Sequence, residues 1–192
     1  LVDDMGYGDA GCYNAASKIP TPNIDSLAAD GLRFTDAHAP GPLCHLSRYG
    51  LMTGVYPFRA ETNQWRKKPS IAAGQMTLAS LLQQGGYETS MVGKWHLGDQ
   101  SPSRPMDRGH DHYIGALYSN DMTPFAIYDE DKIIHEAPFD QTKMKEVYEA
   151  AALDFIDQDR EGPFFLYMAH NFPHIPLFAP DADLGRSKGG LY

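Results

Sequence analysis

Cys44 and Arg48 stand four residues apart at the head of a segment whose pattern predicts a helix from about Cys44 to Gly54. A thiol at a helix start sits in the positive end of the helix dipole, where anions are favoured. Arg48, one turn on, shares that face and adds a permanent cation. The pair suits a nucleophile that attacks an anionic ester. The competing reading is a buried structural thiol with a surface arginine nearby, and for a lone cysteine that reading is the commoner one.

Three further clusters have chemistry-bearing residues. Asp3-Asp4 are adjacent carboxylates that repel each other unless a cation neutralises them, and hard oxygen ligands select calcium or magnesium. A solvated turn start accounts for them equally well. Gly6 and Gly8 would let the backbone approach an ion closely. Lys94 and His96 are two residues apart, so on an extended segment they point the same way and could clamp an oxyanion. Taken alone, they read more readily as two exposed polar residues flanking a buried Trp95, the commoner arrangement. His174 lies between Pro173 and Pro176 in a rigid loop after an apolar run, with His170 close by, and spacing does not choose between the two histidines. Ser119, in Tyr118-Ser119-Asn120-Asp121, reads on its own as a turn residue.

Stepping outward, the elements that must position these residues alternate in type. Thr21-Pro22 reads as an N-cap and first helical residue, with the helix ending at Gly31. Leu32 to Ala37 alternates like a strand. Thr77 caps a helix that Gly85-Gly86 end, and Tyr87 to Val92 reads as the next strand. The apolar period from Thr142 to Gln158 predicts the longest helix, through Met144, Val147, Ala151 and Phe155 with Tyr148 and Ala152 beside them. Pro163 to Met168 reads as a strand covered on both faces, and Leu1 to Asp4 as the last residues of another. Helices alternating with buried strands imply an α/β fold with a mostly parallel mixed sheet flanked by helices. In such sheets ligands collect beyond the carboxyl ends of the strands. Asp3-Asp4, the segment around Cys44, Lys94-Trp95-His96 and His170 to His174 all follow predicted strands, so they can converge on one edge.

The 192 residues suffice for one domain with a core. A net charge of −9 argues against a nucleic-acid partner, while leaving a locally cationic site for an anion open. No apolar run is long enough to span a bilayer. Two cysteines, Cys12 and Cys44, are too few for a disulfide framework. The chain opens on Leu1-Val2 and closes on Gly189-Gly190-Leu191-Tyr192, which reads as a fragment at both ends, so any targeting segment lies beyond it. His38, His45, His110, His112 and His135 have no supporting pattern and read as structural or solvent-facing.

The four clusters together resemble the sulfatase family, in the same order and over essentially the whole chain. Cys44-His45-Leu46-Ser47-Arg48 with Leu51-Met52-Thr53-Gly54 is similar to the family signature Cys-x-Pro-Ser-Arg followed by a hydrophobic pair and Thr-Gly. Asp3-Asp4-Met5-Gly6-Tyr7-Gly8-Asp9 resembles its metal-binding strand end, and Thr21 to Asp25 with Leu27 its first helix. Val92 to Gly98 resembles its Gly-Lys-Trp-His-Leu-Gly motif, and Pro173 to Leu177 its Pro-His-x-Pro motif. Leu46 stands where the signature has proline, a position read by the modifying machinery.

The resemblance implies an alkaline-phosphatase-like fold, with this chain as the amino-terminal part of the catalytic domain. It implies hydrolysis of a sulfate monoester, arylsulfatase-like, by the hydrate of a formylglycine formed from Cys44. Calcium, or magnesium, would be held by Asp3, Asp4 and residue 44. Lys94 and His174 would bind sulfate, Ser119 would touch substrate, and Arg48 and His96 would position the aldehyde hydrate. His96 would also take a proton from the hydrate. The implied partners are a sulfated small molecule or glycan and a formylglycine-generating or sulfatase-maturing enzyme. The expected location is periplasmic, secreted or lysosomal. The family's further ligands, an Asp and an Asn, and a second Lys belong to a later part of the chain. Two alternatives stand beside this: a phosphonate monoester or phosphodiester hydrolase of the same superfamily, and a non-catalytic homologue with Cys44 unconverted.

Overall fold

The computed structural model describes residues 1–60 and 70–188, so the closing Gly189 to Tyr192 lies outside the described residues. Four α-helices, α1 (Pro22–Asp30), α2 (Cys44–Thr53), α3 (Leu78–Gln84) and α4 (Met144–Ile156), surround one mixed sheet. The strands are β1 (Glu88–Gly93), β2 (His112–Gly115), β3 (Ile127–Asp129), β4 (Lys132–His135) and β5 (Phe164–Ala169), in the spatial order β4-β3-β2-β1-β5. β1 is parallel to both β2 and β5, while β2, β3 and β4 form an antiparallel meander.

The register divides the core into two layers. Met91 pairs with Tyr113 and Tyr167 and faces a cluster that holds Trp95, Leu97, Tyr49 and Met52. Val92, one residue on, pairs with Ile114 and Met168 and faces Met144, Tyr148 and Ala152 of α4. The period of two thus sends alternate β1 side chains into opposite layers. α4 buries Met144, Tyr148, Ala152 and Phe155, the stripe expected from its sequence, after a single 3-10 turn at Gln141–Lys143. α3 begins as expected: the Thr77 hydroxyl accepts from the Ser80 N–H, satisfying one orphan donor of its first turn. α2 ends at Gly54, whose φ of 68° is the left-handed geometry that a glycine reaches without strain.

Three sequence expectations are corrected. Leu32 to Ala37 forms no strand; Leu32 and Phe34 are exposed, so its alternation has no sheet to join. Leu1 to Asp4 carries no assigned strand. It does run along β5, because the Leu1 amino group donates to Met168 O, His170 N–H to Leu1 O and Asp3 N–H to Phe172 O. β5 is covered less than expected, with Phe164 exposed at its start and burial increasing toward Ala169. Among the described residues no helix is long and apolar enough to cross a membrane.

The carboxyl ends of β1, β2 and β5 share one edge. Residues 94–96 leave β1 there, residues 116–120 leave β2, and residues 170–174 leave β5. The backbone ties these three exits together: Lys94 N–H donates to Ala169 O, Trp95 N–H to Ala116 O, and His96 N–H to Leu117 O.

Candidate active site

α2 places its first residue, Cys44, at that edge. Cys44 Sγ lies 3.2 Å from His96 Nδ1. Arg48, one turn further, is fully buried rather than on the surface; it donates to the backbone oxygen of Lys94, and its Nη2 lies 3.4 Å from Asp3 Oδ2. The face shared by Cys44 and Arg48 therefore points into the molecule.

Lys94 is also buried, and its ammonium has two partners, Asp3 Oδ2 at 2.5 Å and Ser119 Oγ at 3.1 Å. A buried ammonium is tolerable only with such compensation. Ser119 is no surface turn residue. It is buried, and its hydroxyl lies 3.4 Å from both ring nitrogens of His174. Asn120 anchors the His174 loop by donating to Pro176 O at 3.0 Å, and His174 Nδ1 lies 2.6 Å from Ile175 O. His174 Nε2 is 3.7 Å from Asp4 Oδ2. Every residue singled out from the sequence, Asp3, Asp4, Cys44, Arg48, Lys94, His96, Ser119 and His174, thus belongs to one connected cluster.

Lys94 and His96 converge by a different route from the extended segment expected. β1 ends at Gly93, and His96 has a φ of 64°, a left-handed conformation uncommon outside glycine. Trp95 between them is buried and donates its indole N–H to Ser103 O. The segment is thus pinned in the layer below while its two polar side chains face the cluster. Asp4 likewise has a φ of 65°. Unusual backbone at two residues of one cluster is a frequent mark of a functional site.

Burial, and then the charges of Lys94, Arg48, His45 and His174, push the His96 pKa down to about 2, so the ring is neutral. Burial and Lys94 lower His45 as well. His170 plays no part in the cluster: its Nδ1 accepts the Phe172 N–H and its ring packs against Tyr148.

Two residues beside the site escaped the sequence reading. His45 is buried, its ring 5.8 Å from that of His96. Tyr118 sets its ring edge-on to His96 at 5.7 Å. Adjacency to Cys44 was the signal available for His45. For Tyr118 it was adjacency to Ser119.

Two kinds of cation ligand meet here. Asp3 and Asp4 are adjacent hard carboxylates, one buried and one exposed, and their chemistry fits calcium or magnesium. Calcium takes about six to eight oxygens, so two carboxylates would supply only part of such a site. Cys44 Sγ and one ring nitrogen each of His45 and His96 form a second, softer set, all within 4.8 Å of one another.

A model of the sulfatase family matches residues 1–190. Human N-acetylgalactosamine-6-sulfatase is 35% identical over 219 residues, covering 100% of this chain and 42% of the relative. Arylsulfatase G of Canis lupus familiaris is 34% identical, over 92% of this chain and 40% of the relative. The chain therefore spans less than half the length of these curated relatives. Among solved structures, the PsFucS1 sulfatase from Pseudoalteromonas sp. superposes with a TM-score of 0.79 at 28% identity, over 97% of this chain and 46% of that one. A protein solved with its substrate D-glucosamine-2-N,6-O-disulfate gives a TM-score of 0.71 at 26% identity, over 91% and 34% of the two chains. With the cluster at the carboxyl edge of the sheet, these matches make the chain a member of the sulfatase family.

Proposed function

We propose that the protein containing this chain hydrolyses a sulfate monoester, on a sulfated glycan or small molecule, and that the chain is the amino-terminal part of its catalytic domain. The observation that carries this is the placement of Cys44 at a helix N-terminus, 3.2 Å from His96 and beside the buried cations Arg48 and Lys94. A formylglycine hydrate at position 44, with a divalent cation on Asp3 and Asp4, would supply the nucleophile and neutralise sulfate oxygens.

The chain's own side chains do the rest. Arg48 reaches across to the backbone of Lys94 and so fixes α2 against the exit of β1, which sets where residue 44 stands. Lys94 Nζ donates to a sulfate oxygen, and Ser119 holds that ammonium in place. His174 sits beyond Ser119 and can protonate the departing oxygen. His96, neutral and next to residue 44, accepts a proton there. Its basicity is suppressed in part by Lys94 and Arg48, and a bound sulfate opposes those same charges, which raises it when it is needed.

Leu46 has no bearing on this geometry. It is the third residue of α2, where the backbone N–H has no intrahelical partner, so proline and leucine both suit the helix. Its effect falls on recognition by the modifying enzyme.

The test uses the full-length protein from a host with a maturing enzyme. Mass spectrometry of the peptide holding residue 44 should show the aldehyde, and 4-nitrophenyl sulfate should be cleaved in preference to an aryl phosphodiester. An intact thiol with no sulfate hydrolysis would sink the reading in favour of a non-catalytic homologue. Preference for the diester would favour the phosphodiesterase alternative.

A further inference from the structure

We propose that, while residue 44 carries its thiol, Cys44, His45 and His96 form a binding site for a borderline-soft divalent cation, zinc, distinct from the hard-cation pair Asp3-Asp4. The site is a property of the unmodified chain and does not rest on sulfate-ester hydrolysis.

The geometry is close to what zinc requires. Tetrahedral zinc, with bonds of about 2.3 Å to sulfur and about 2.0–2.1 Å to nitrogen, sets its ligand atoms roughly 3.3–3.6 Å apart. Here Sγ and His96 Nδ1 are 3.2 Å apart, and all three ligand atoms lie within 4.8 Å, so modest rotations of the side chains close the set. The ligands are held in place beforehand. Cys44 and His45 occupy the first turn of α2, and His96 is fixed by its N–H bond to Leu117 O and by the Tyr118 ring. Both histidines are buried while Cys44 is half-buried, so one side remains open for a fourth ligand from solvent.

Ligand chemistry separates this site from the aspartates. Thiolate and imidazole select zinc over calcium, and carboxylates the reverse. Asp3 Oδ2 is already engaged by Lys94 and Arg48, and it offsets part of their charge beside the incoming ion. On binding, the S–H bond of Cys44 breaks, an S–Zn bond forms and the proton leaves to solvent, so the local charge rises by one rather than two. The lysine and arginine then favour an anionic fourth ligand. Modification of Cys44 removes the only sulfur of the set, so the thiol form and the modified form would hold different metals.

The test takes the full-length protein from cells without a modifying enzyme, with the thiol at residue 44 verified by mass. Zinc titration against a chromogenic chelator should give one tight ion per chain that excess calcium does not displace. Cobalt in its place should show a thiolate-to-cobalt charge-transfer band. Zinc should protect Cys44, and not Cys12, from iodoacetamide. Cys44→Ser and His45→Gln should each weaken zinc binding at least about 100-fold, with Cys12→Ser unchanged. Alkylation of Cys44 at the same rate with and without zinc overturns the proposal on the unmutated protein, whatever the variants do. So does tight binding that survives Cys44→Ser. Loss of 4-nitrophenyl sulfate hydrolysis in the modified protein is a separate readout and bears only on the enzymatic reading.

Discussion

At the scale of single residues, Lys94 carries the most weight. It is buried, and it joins Asp3 to Ser119. Lys94→Ala should lower kcat/KM for an aryl sulfate by about 10²–10³-fold, the usual effect of deleting one donor to a developing anion. It should also cost about 3 kcal/mol of stability, because Asp3 stays buried with only Arg48 beside it. The two effects separate in a double variant. Lys94→Met with Asp3→Asn removes one charge of each sign but leaves the buried Arg48 without its carboxylate, so urea denaturation should show only part of the stability restored while hydrolysis stays lost. Residue types and spacing pointed to Asp3, Asp4, Cys44, Arg48, Lys94 and His96, while the family resemblance was needed to choose His174 over His170 and to bring in Ser119; neither reported their surroundings. The depth of Arg48 and Ser119 was not legible, because nothing local in the sequence reports burial. His45 was passed over because no pattern in the sequence supported it. At the open first turn of α2 Cys44 and His45 both reach His96, a consequence of where β1 delivers that ring.

The elements explain which parts of the fold were legible. α1, α3 and α4 carry their own boundary chemistry in Pro22, Thr77 and an apolar stripe, and each was found close to its observed span. β2, β3 and β4 are three or four residues long and hold together through neighbours distant in sequence, so no local pattern announces them. Residues 32–37 show the converse, an alternating pattern with no partner strand. Two substitutions test the elements. Thr77→Ala removes the cap of α3 and the hydroxyl that donates to Arg108 O at 2.6 Å, and should cost about 1–2 kcal/mol by urea denaturation. Gly93→Ala should be far worse. Gly93 has a φ of 112°, and an added Cβ would lie 2.1 Å from Ala169 O on β5. That clash falls where β1 and β5 turn toward the site. The variant should be recovered mainly as insoluble protein, and a soluble, cooperatively melting Gly93→Ala protein would show that this edge is looser than described.

Across the whole molecule, buried histidines set the response to acid. His45, His96, His110 and His170 are all held below the ordinary histidine range, and burial is the leading cause for each. A histidine kept neutral in the folded state takes up a proton on unfolding at any pH between its folded and unfolded values. Stability is therefore full above about pH 6.5 and falls as pH drops toward the folded pKa. His110 is the cleanest probe, since it makes none of the polar contacts that join the Cys44–Lys94 cluster. It is buried between Trp95 and Tyr167, neither ring nitrogen has a hydrogen-bond partner among the described residues, and its pKa is pushed down to about 4. The shift corresponds to about 3 kcal/mol lost between pH 6.5 and pH 4. His110→Phe keeps an aromatic ring in the gap and removes the titration, so its stability should decline less steeply over that window, by one proton in the slope of unfolding free energy against pH. Urea denaturation of both proteins at closely spaced pH values measures this directly. Parallel profiles would mean that His110 is protonated as readily in the folded chain as in the unfolded one, and that the acid sensitivity of the fold resides in His45, His96 and His170.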